Sequence, residues 1–151
     1  RVLTAPLAGR VMPIDQMPDP MFASKVMGDG VCIEPSGDTV VAPADCTVTV
    51  TMPASNHAVG LTLDNGVELL IHVGIDTVDM GGDGFACFVN QGDRVKAGTK
   101  LLTFDTEKIA AAGHPATTAF IVASTADAAD FEFHAGMDAA EGETPVITFR
   151  G

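Results

Sequence analysis

The run Ala58-Val59-Gly60-Leu61-Thr62-Leu63-Asp64-Asn65-Gly66-Val67-Glu68-Leu69-Leu70-Ile71-His72-Val73 reads as two strands joined by a turn. Asn65-Gly66 between apolar runs predicts a two-residue type I′ hairpin loop, because both residues tolerate positive φ. That loop sets Asp64 opposite Val67 and Val59 opposite His72. Side chains alternate along a strand, so Val67, Leu69, Ile71 and Val73 form one continuous apolar face, the expected core face. His57, Val59, Leu61 and Leu63 then share the other face with Glu68, Leu70 and His72. In this register His57 is a diagonal neighbour of His72, about 7–8 Å away.

The rest of the chain carries the same signature of short strands between turns. Val2 to Ile14 reads as a strand pair broken at Pro6 and Gly9. Gly28-Asp29-Gly30 reads as a turn before the strand Val31-Cys32-Ile33. Cys46 to Met52 alternates at period two. Phe85 to Val89, Arg94 to Lys96, Leu101 to Asp105, Phe120 to Ala123, Asp130 to Phe133 and Val146 to Phe149 follow. Thr106 to Ala112 is the best helix, with Thr106 as N-cap and Gly113 as stop. Met21 to Met27 fits either a short helical turn or an extended segment. Ala5-Pro6-Leu7-Ala8-Gly9-Arg10-Val11 echoes Ala42-Pro43-Ala44-Asp45-Cys46-Thr47-Val48, a faint internal repeat that chance could also produce. The expected class is all-β, a sandwich or barrel.

Composition bounds the function. The 151 residues are 46% apolar and 19% charged, which fits one globular domain over residues 1–151. With no Trp or Tyr, the core rests on aliphatic residues and eight Phe. The net charge of −12 disfavours nucleic acid and anionic membranes as partners and suits a basic protein. No segment is apolar for long enough to insert in a membrane. Cys32, Cys46 and Cys87 are odd in number, form no CxxC and read as buried thiols in a reducing compartment. The start at Arg1 without Met fits a trimmed protein or a domain cut from a longer one.

Two neighbouring imidazoles beside Leu70 allow three readings. One ring can be a nucleophile at one nitrogen while the second donates to developing charge on a transferring phosphoryl group. The pair can supply two ligands to a zinc ion completed by a partner protein's carboxylate. Or both are structural histidines. Ser55, two residues before His57, offers a hydroxyl to fix its tautomer. Leu70 on the outward face calls for a cover, either a second layer or a docking protein. His114 and His134 carry no such argument.

Ser55-Asn56-His57-Ala58 and Gly66-Val67-Glu68-Leu69-Leu70-Ile71-His72-Val73-Gly74-Ile75-Asp76-Thr77-Val78 closely resemble the IIA components of the phosphotransferase system, glucose family. Ala5-Pro6-Leu7-Ala8-Gly9, Pro18 to Ala23, Met27 to Gly30, Val41-Ala42-Pro43, Gly92 to Val95, Thr103 to Asp105 and Gly142 to Ile147 fall in the family's order. The resemblance implies a compact antiparallel β-sandwich with short helical turns. It implies that His72 accepts a phosphoryl group from the phosphohistidine of the general phosphocarrier protein, HPr. His72 then passes it to a cysteine of the IIB domain of a sugar permease. His57 carries over as the phosphoryl stabiliser, with Ser55 as its orienting hydroxyl where the family usually has Thr. The Gly74 carbonyl carries over as acceptor for Nδ1–H of His72. Asp19, Met21, Phe22, Val26, Met27, Leu70, Asp76 and Val78 carry over as the partner-binding surface. Pro53 and Leu70 stand where the family often has aromatics.

The same resemblance implies a cytoplasmic protein, or one tethered to the membrane through its permease, with no cofactor. It leaves a second role open, a regulatory module that controls target proteins through the same face. Biotinyl or lipoyl carriers share the Ala-Pro turn and a Gly-Asp-x-Val element but need a hairpin lysine that is absent here. Lysostaphin-like metallopeptidases need a His-x-His that is also absent.

Overall fold

The hairpin around Asp64-Asn65-Gly66 forms, but with a three-residue loop in place of the expected two. The computed structural model describes every residue from Arg1 to Gly151. Leu63 N–H donates to the Val67 carbonyl at 2.8 Å, and Gly66 N–H donates to the Leu63 carbonyl at 3.0 Å. Asn65 Oδ1 accepts from Val67 N–H at 3.1 Å, and Gly66 takes φ +91°. Asn65 therefore spends its side chain stitching the loop, and Gly66 alone supplies the left-handed residue. The register moves by one residue: Ala58 faces His72 and Val59 faces Ile71. A one-residue shift exchanges the faces of the first strand. Val59, Leu61 and Leu63 join Val67, Leu69, Ile71 and Val73 in the core, all of them buried.

In chain order the strands are β1 Val2–Thr4, β2 Gly9–Pro13, β3 Asp29–Pro35, β4 Thr39–Val41, β5 Cys46–Thr51, β6 Ala58–Thr62 and β7 Glu68–Val73. They continue as β8 Phe85–Cys87, β9 Arg94–Val95, β10 Lys100–Phe104, β11 Thr118–Ser124, β12 Ala129–Phe133, β13 Asp138–Ala139 and β14 Pro145–Arg150. Two short helices are α1, Pro20–Ala23, and α2, Thr106–Ala111. The N-cap of α2 is Asp105, not Thr106: its carboxylate accepts from the N–H groups of Glu107 and Lys108. A carboxylate also suits the positive end of the helix better than a hydroxyl. Gly28 is the turn before β3, which starts earlier than expected, at Asp29.

One eight-stranded antiparallel sheet runs β13-β2-β3-β11-β7-β6-β5-β9, and two three-stranded sheets run β1-β14-β12 and β4-β10-β8. The inner face of the large sheet packs against both small ones around one apolar core, in which Leu3, Leu101, Leu102 and Ile147 meet Ile71 and Phe120. This is the expected all-β sandwich.

The faint repeat is real, and it organises the whole fold. Thr4 N–H donates to the Pro43 carbonyl at 3.1 Å, and Val41 N–H donates to the Pro6 carbonyl at 2.8 Å. The two Ala-Pro turns thus exchange hydrogen bonds reciprocally. Ala5 bonds both Thr144 and Gly142, as Ala42 bonds both Thr99 and Gly98. Val11 bonds Met137 and Gly136, as Val48 bonds Asp93 and Gly92. The order of the large sheet is symmetric about its centre, where Ile71 of β7 pairs with Phe120 of β11. Strands β4 to β10 form one seven-stranded unit. Strands β1 to β3 with β11 to β14 form its pseudo-twofold mate.

Gly30 lies where the mate unit has Ala58, yet a Cβ there would sit 2.2 Å from the Phe120 carbonyl oxygen. Gly30→Ala is expected to destabilise the fold by about 2–3 kcal/mol, because the obstacle is backbone and cannot rotate away. Urea denaturation checks this: the midpoint should fall with an unchanged slope.

Candidate active site

The site sits on the outer face of the large sheet, at the end of β7 away from the hairpin tip. Just ahead of β6, the N–H groups of Ser55 and Asn56 both donate to the Met52 carbonyl, and Asn56 takes φ +53°. This turn takes His57 out of strand alternation and onto the outer face. Its carbonyl stays in the ladder, accepting from Val73 N–H at 2.8 Å. The sequence expectation that His57 neighbours His72 holds, through the Met52–Asn56 turn rather than through the diagonal pairing assumed. The ring centroids lie 4.7 Å apart at 88°, edge to face.

His57 and Ser55 are both buried, and Ser55 Oγ lies 2.6 Å from His57 Nδ1. Burial, then the neighbouring His72, push the His57 pKa down from 6.5 to about 4. His72 is half-buried, and burial lowers its pKa too. The backbone carbonyl of Gly74, the Asp19 and Asp76 carboxylates and its own backbone oppose that shift. Both rings are therefore neutral at neutral pH.

His72 Nδ1 is buried, and the Gly74 backbone beside it favours a proton on the ring. The turn that carries this glycine is firmly built. Gly74 has φ +79°, and a Cβ there would strike Thr77 and the Pro115 carbonyl. The buried Thr77 hydroxyl donates back to the Val73 carbonyl. Thr77 was not singled out from the sequence. Its signal, a Thr four residues after a strand end, is too common to notice.

Asp19 caps α1, accepting from Met21 N–H at 3.0 Å, with Pro20 in the first helical position. The short helix resolves the ambiguity of Met21 to Met27 and sends neighbouring side chains opposite ways. Met21 is 55% exposed, and Val26, Met27 and Val78 are exposed with it. Phe22, expected on the partner-binding surface, lies at the inner edge of this apolar face. It is only 5% exposed, packed with Ile14, Met17 and Ile75, its ring centroid 5.0 Å from that of His72. Leu70 is half-buried and packs on the same small cluster. Val50 adds exposed apolar surface that sequence reasoning missed: it covers Gly60, which faces outward between the core residues Val59 and Leu61.

Neither His57 nor His72 lines any cavity; the nearest, of about 200 Å³, is formed by Thr51, Pro53, Asn56, Cys87, Val89 and Asn90. The site is a face, not a pocket, open to a broad surface rather than to an enclosed ligand. No group of three or more His, Cys, Asp or Glu side chains is arranged to hold a metal ion. His134 bonds Thr148 at 3.1 Å, and His114 follows the end of α2. Burial pushes the Cys32 and Cys46 thiols up to about 11, so both stay protonated and unreactive.

The sequence model of the phosphoenolpyruvate-dependent sugar phosphotransferase system, EIIA 1, matches residues 1–128. The glucose-specific EIIBCA component of Corynebacterium glutamicum is 46% identical over 99% of this chain, which spans 22% of that protein's length. The glucose-specific EIIA component of Bacillus anthracis is 41% identical over 96% of this chain and 87% of its own. Glucose permease IIA from Mycoplasma capricolum superposes with a TM-score of 0.89 at 29% identity, covering 97% of this chain and 94% of that one.

The buried His57 makes stability sensitive to acid. Its folded pKa lies below its unfolded value, so the unfolded chain binds more protons between them. This stability is fully present above pH 6.5 and is lost as pH falls through the window down to about 4. Urea midpoints measured across that window should fall with pH, and His57→Gln should flatten the fall.

Proposed function

The chain belongs to the EIIA 1 family of the phosphoenolpyruvate-dependent sugar phosphotransferase system, and we propose that His72 is the residue that carries its phosphoryl group. Membership makes the protein a phosphotransferase component of that system. The observation that carries the finer reading is a half-exposed, neutral imidazole walled by a buried neutral one on an open apolar face.

The donor is the phosphohistidine of HPr. The Nε2 lone pair of His72 attacks phosphorus as the bond from phosphorus to the donor's ring nitrogen breaks, and the donor imidazole leaves with that electron pair. The proton on Nδ1 stays there and donates a hydrogen bond to the Gly74 carbonyl as the ring becomes cationic. His57 is oriented by the Ser55 hydroxyl, which donates to Nδ1 and leaves Nε2–H free to donate to a phosphoryl oxygen. In the second step a cysteine thiolate of a IIB domain attacks the same phosphorus from the outside, and His72 leaves neutral.

Asp19 and Asp76 repel a phosphoryl group that arrives alone. Docking of a cationic partner offsets that repulsion, so the two carboxylates select protein-borne phosphate over free anions. Met21, Val26, Met27, Leu70 and Val78 supply the apolar contact that excludes water during transfer. Residues 1–151 act as one EIIA module. It works in the cytoplasm, free or tethered to a permease.

Incubation with phosphoenolpyruvate, the system's first enzyme and HPr should place one phosphoryl group on His72. The product should be acid-labile and base-stable, as phosphoramidates are. His72→Ala should take up none, and label that persists in it defeats the assignment. His57→Gln should still accept the group but pass it to IIB about 100-fold more slowly, the usual cost of removing one charge-stabilising donor.

A further inference from the structure

We propose that Thr77 is a positioning residue, which holds the Gly74 carbonyl on Nδ1 of His72 and so keeps Nε2 free to react. The proposal rests on His72 being the phosphoacceptor. A neutral imidazole carries one proton, and the nitrogen that donates it to an acceptor leaves the lone pair on the other. The Gly74 backbone is the acceptor beside the buried Nδ1. A glycine is a loose mount for such a group, because it reaches backbone angles closed to other residues. Its neighbours have to hold it.

Thr77 grips this glycine from two sides. The side chain is fully buried at the start of a single helical turn, Thr77–Met80. Its hydroxyl donates to the Val73 carbonyl, in the peptide just before Gly74. Its Cγ2 methyl fills the space that a Cβ on Gly74 would need. The N–H ends of the turn are pinned by the main chain between α2 and β11. Gly74 N–H donates to the Thr117 carbonyl and Ile75 N–H to the Pro115 carbonyl, each at 3.1 Å. Thr77 is the one side chain that takes a carbonyl of the turn.

The opening for that hydroxyl comes from the other histidine. Val73 and His57 stand as a hydrogen-bonded pair of the β6–β7 ladder, in which two bonds are normally exchanged. Val73 N–H donates to the His57 carbonyl at 2.8 Å, but the return bond from His57 N–H is not made. The Met52–Asn56 turn that brings His57 to the outer face has turned its N–H away. A buried carbonyl left without a donor is costly, and the Thr77 hydroxyl supplies the donor. The break that sets His57 beside His72 therefore creates the acceptor through which Thr77 steadies Gly74.

Three variants test this. Thr77→Val and Thr77→Ala both lose the hydroxyl, while Thr77→Ser keeps it. The first measurement is the ¹⁵N shifts of the His72 ring in the unphosphorylated protein. Wild type and Thr77→Ser should show one dominant tautomer with the proton on Nδ1. Thr77→Val and Thr77→Ala should show shifts moved toward the Nε2–H form. The second is transfer from phosphorylated HPr. Both hydroxyl-free variants should lose about tenfold in kcat at unchanged KM, as a misaimed nucleophile does, with Thr77→Ser near wild type.

Wild-type His72 shifts in both hydroxyl-free variants, or a raised KM at unchanged kcat, overturns the proposal. So does Thr77→Ser behaving as they do, which would leave only packing by the methyl. Amide dispersion in the same spectra shows that each variant is folded, and Thr77→Ala stands in if Thr77→Val is not. Failure of wild type to label at His72 would strike the phosphoacceptor reading instead. The tautomer measurement on unphosphorylated protein does not depend on that result.

Discussion

The pairing of Ile71 with Phe120 at the middle of the large sheet is the contact on which everything else is registered. Both side chains are fully buried, and the pseudo-twofold axis passes between them. Each strand outward from that pair inherits its facing from it. A slip of one residue would send Leu69, Ile71 and Val73 to solvent and His72 into the core. The cost of exposing three buried aliphatic side chains, about 1.5–3 kcal/mol each, makes that slip prohibitive. The position of the His72 ring is therefore set by aliphatic residues on the opposite face of its own strand.

Symmetry gives the scaffold, and its breaking gives the site. Through the axis His72 corresponds to Ile121, and His57 corresponds to Asp29, each followed by a small residue, Ala58 and Gly30. One of these two equivalent faces is roofed by the long connection bearing Ile14, Met17 and Phe22, which pack on Ile121 and Ala119. The other is left open, with His72 at the boundary between roofed and open sheet. Asp19 sits in the same connection, so a single added segment supplies the wall, part of the charge and Met21 of the apolar collar.

The core face of β7 was legible because four alternating aliphatic residues leave strand periodicity no other solution. The hairpin register was not. Asn65-Gly66 is the strongest signal for a two-residue loop, yet the Asn65 side chain captures Val67 N–H and makes a three-residue loop instead. His57 was placed beside His72 by an argument that the register defeats. The true cause, the turn from Met52 to Asn56, depends on a positive φ at Asn56 that sequence alone does not announce. Phe22 enters the partner-binding surface through the family resemblance, which does not tell how deeply each side chain of Met21 to Met27 is buried. Only the Asp19 cap decides that Met21 faces out and Phe22 in. The Ala-Pro echo was visible, but its meaning lies in hydrogen bonds between distant turns, which no local pattern reports.

The two seven-stranded units are interleaved rather than consecutive. Strands β4 to β10 are contiguous in the chain, while the mate unit opens with β1 to β3 and resumes only at β11. During synthesis the inner unit can close as soon as it emerges. β3 meanwhile lacks its central partner, and β2 and β3 carry an unpaired edge until β11 arrives. Such non-local pairing slows folding, because loop closure precedes its reward. The last strand to dock in the centre, β11, also pairs directly with β7 along the residue His72. His72 thus reaches its final geometry only once β11 has emerged, so a product stalled before β11 lacks the strand that flanks that ring.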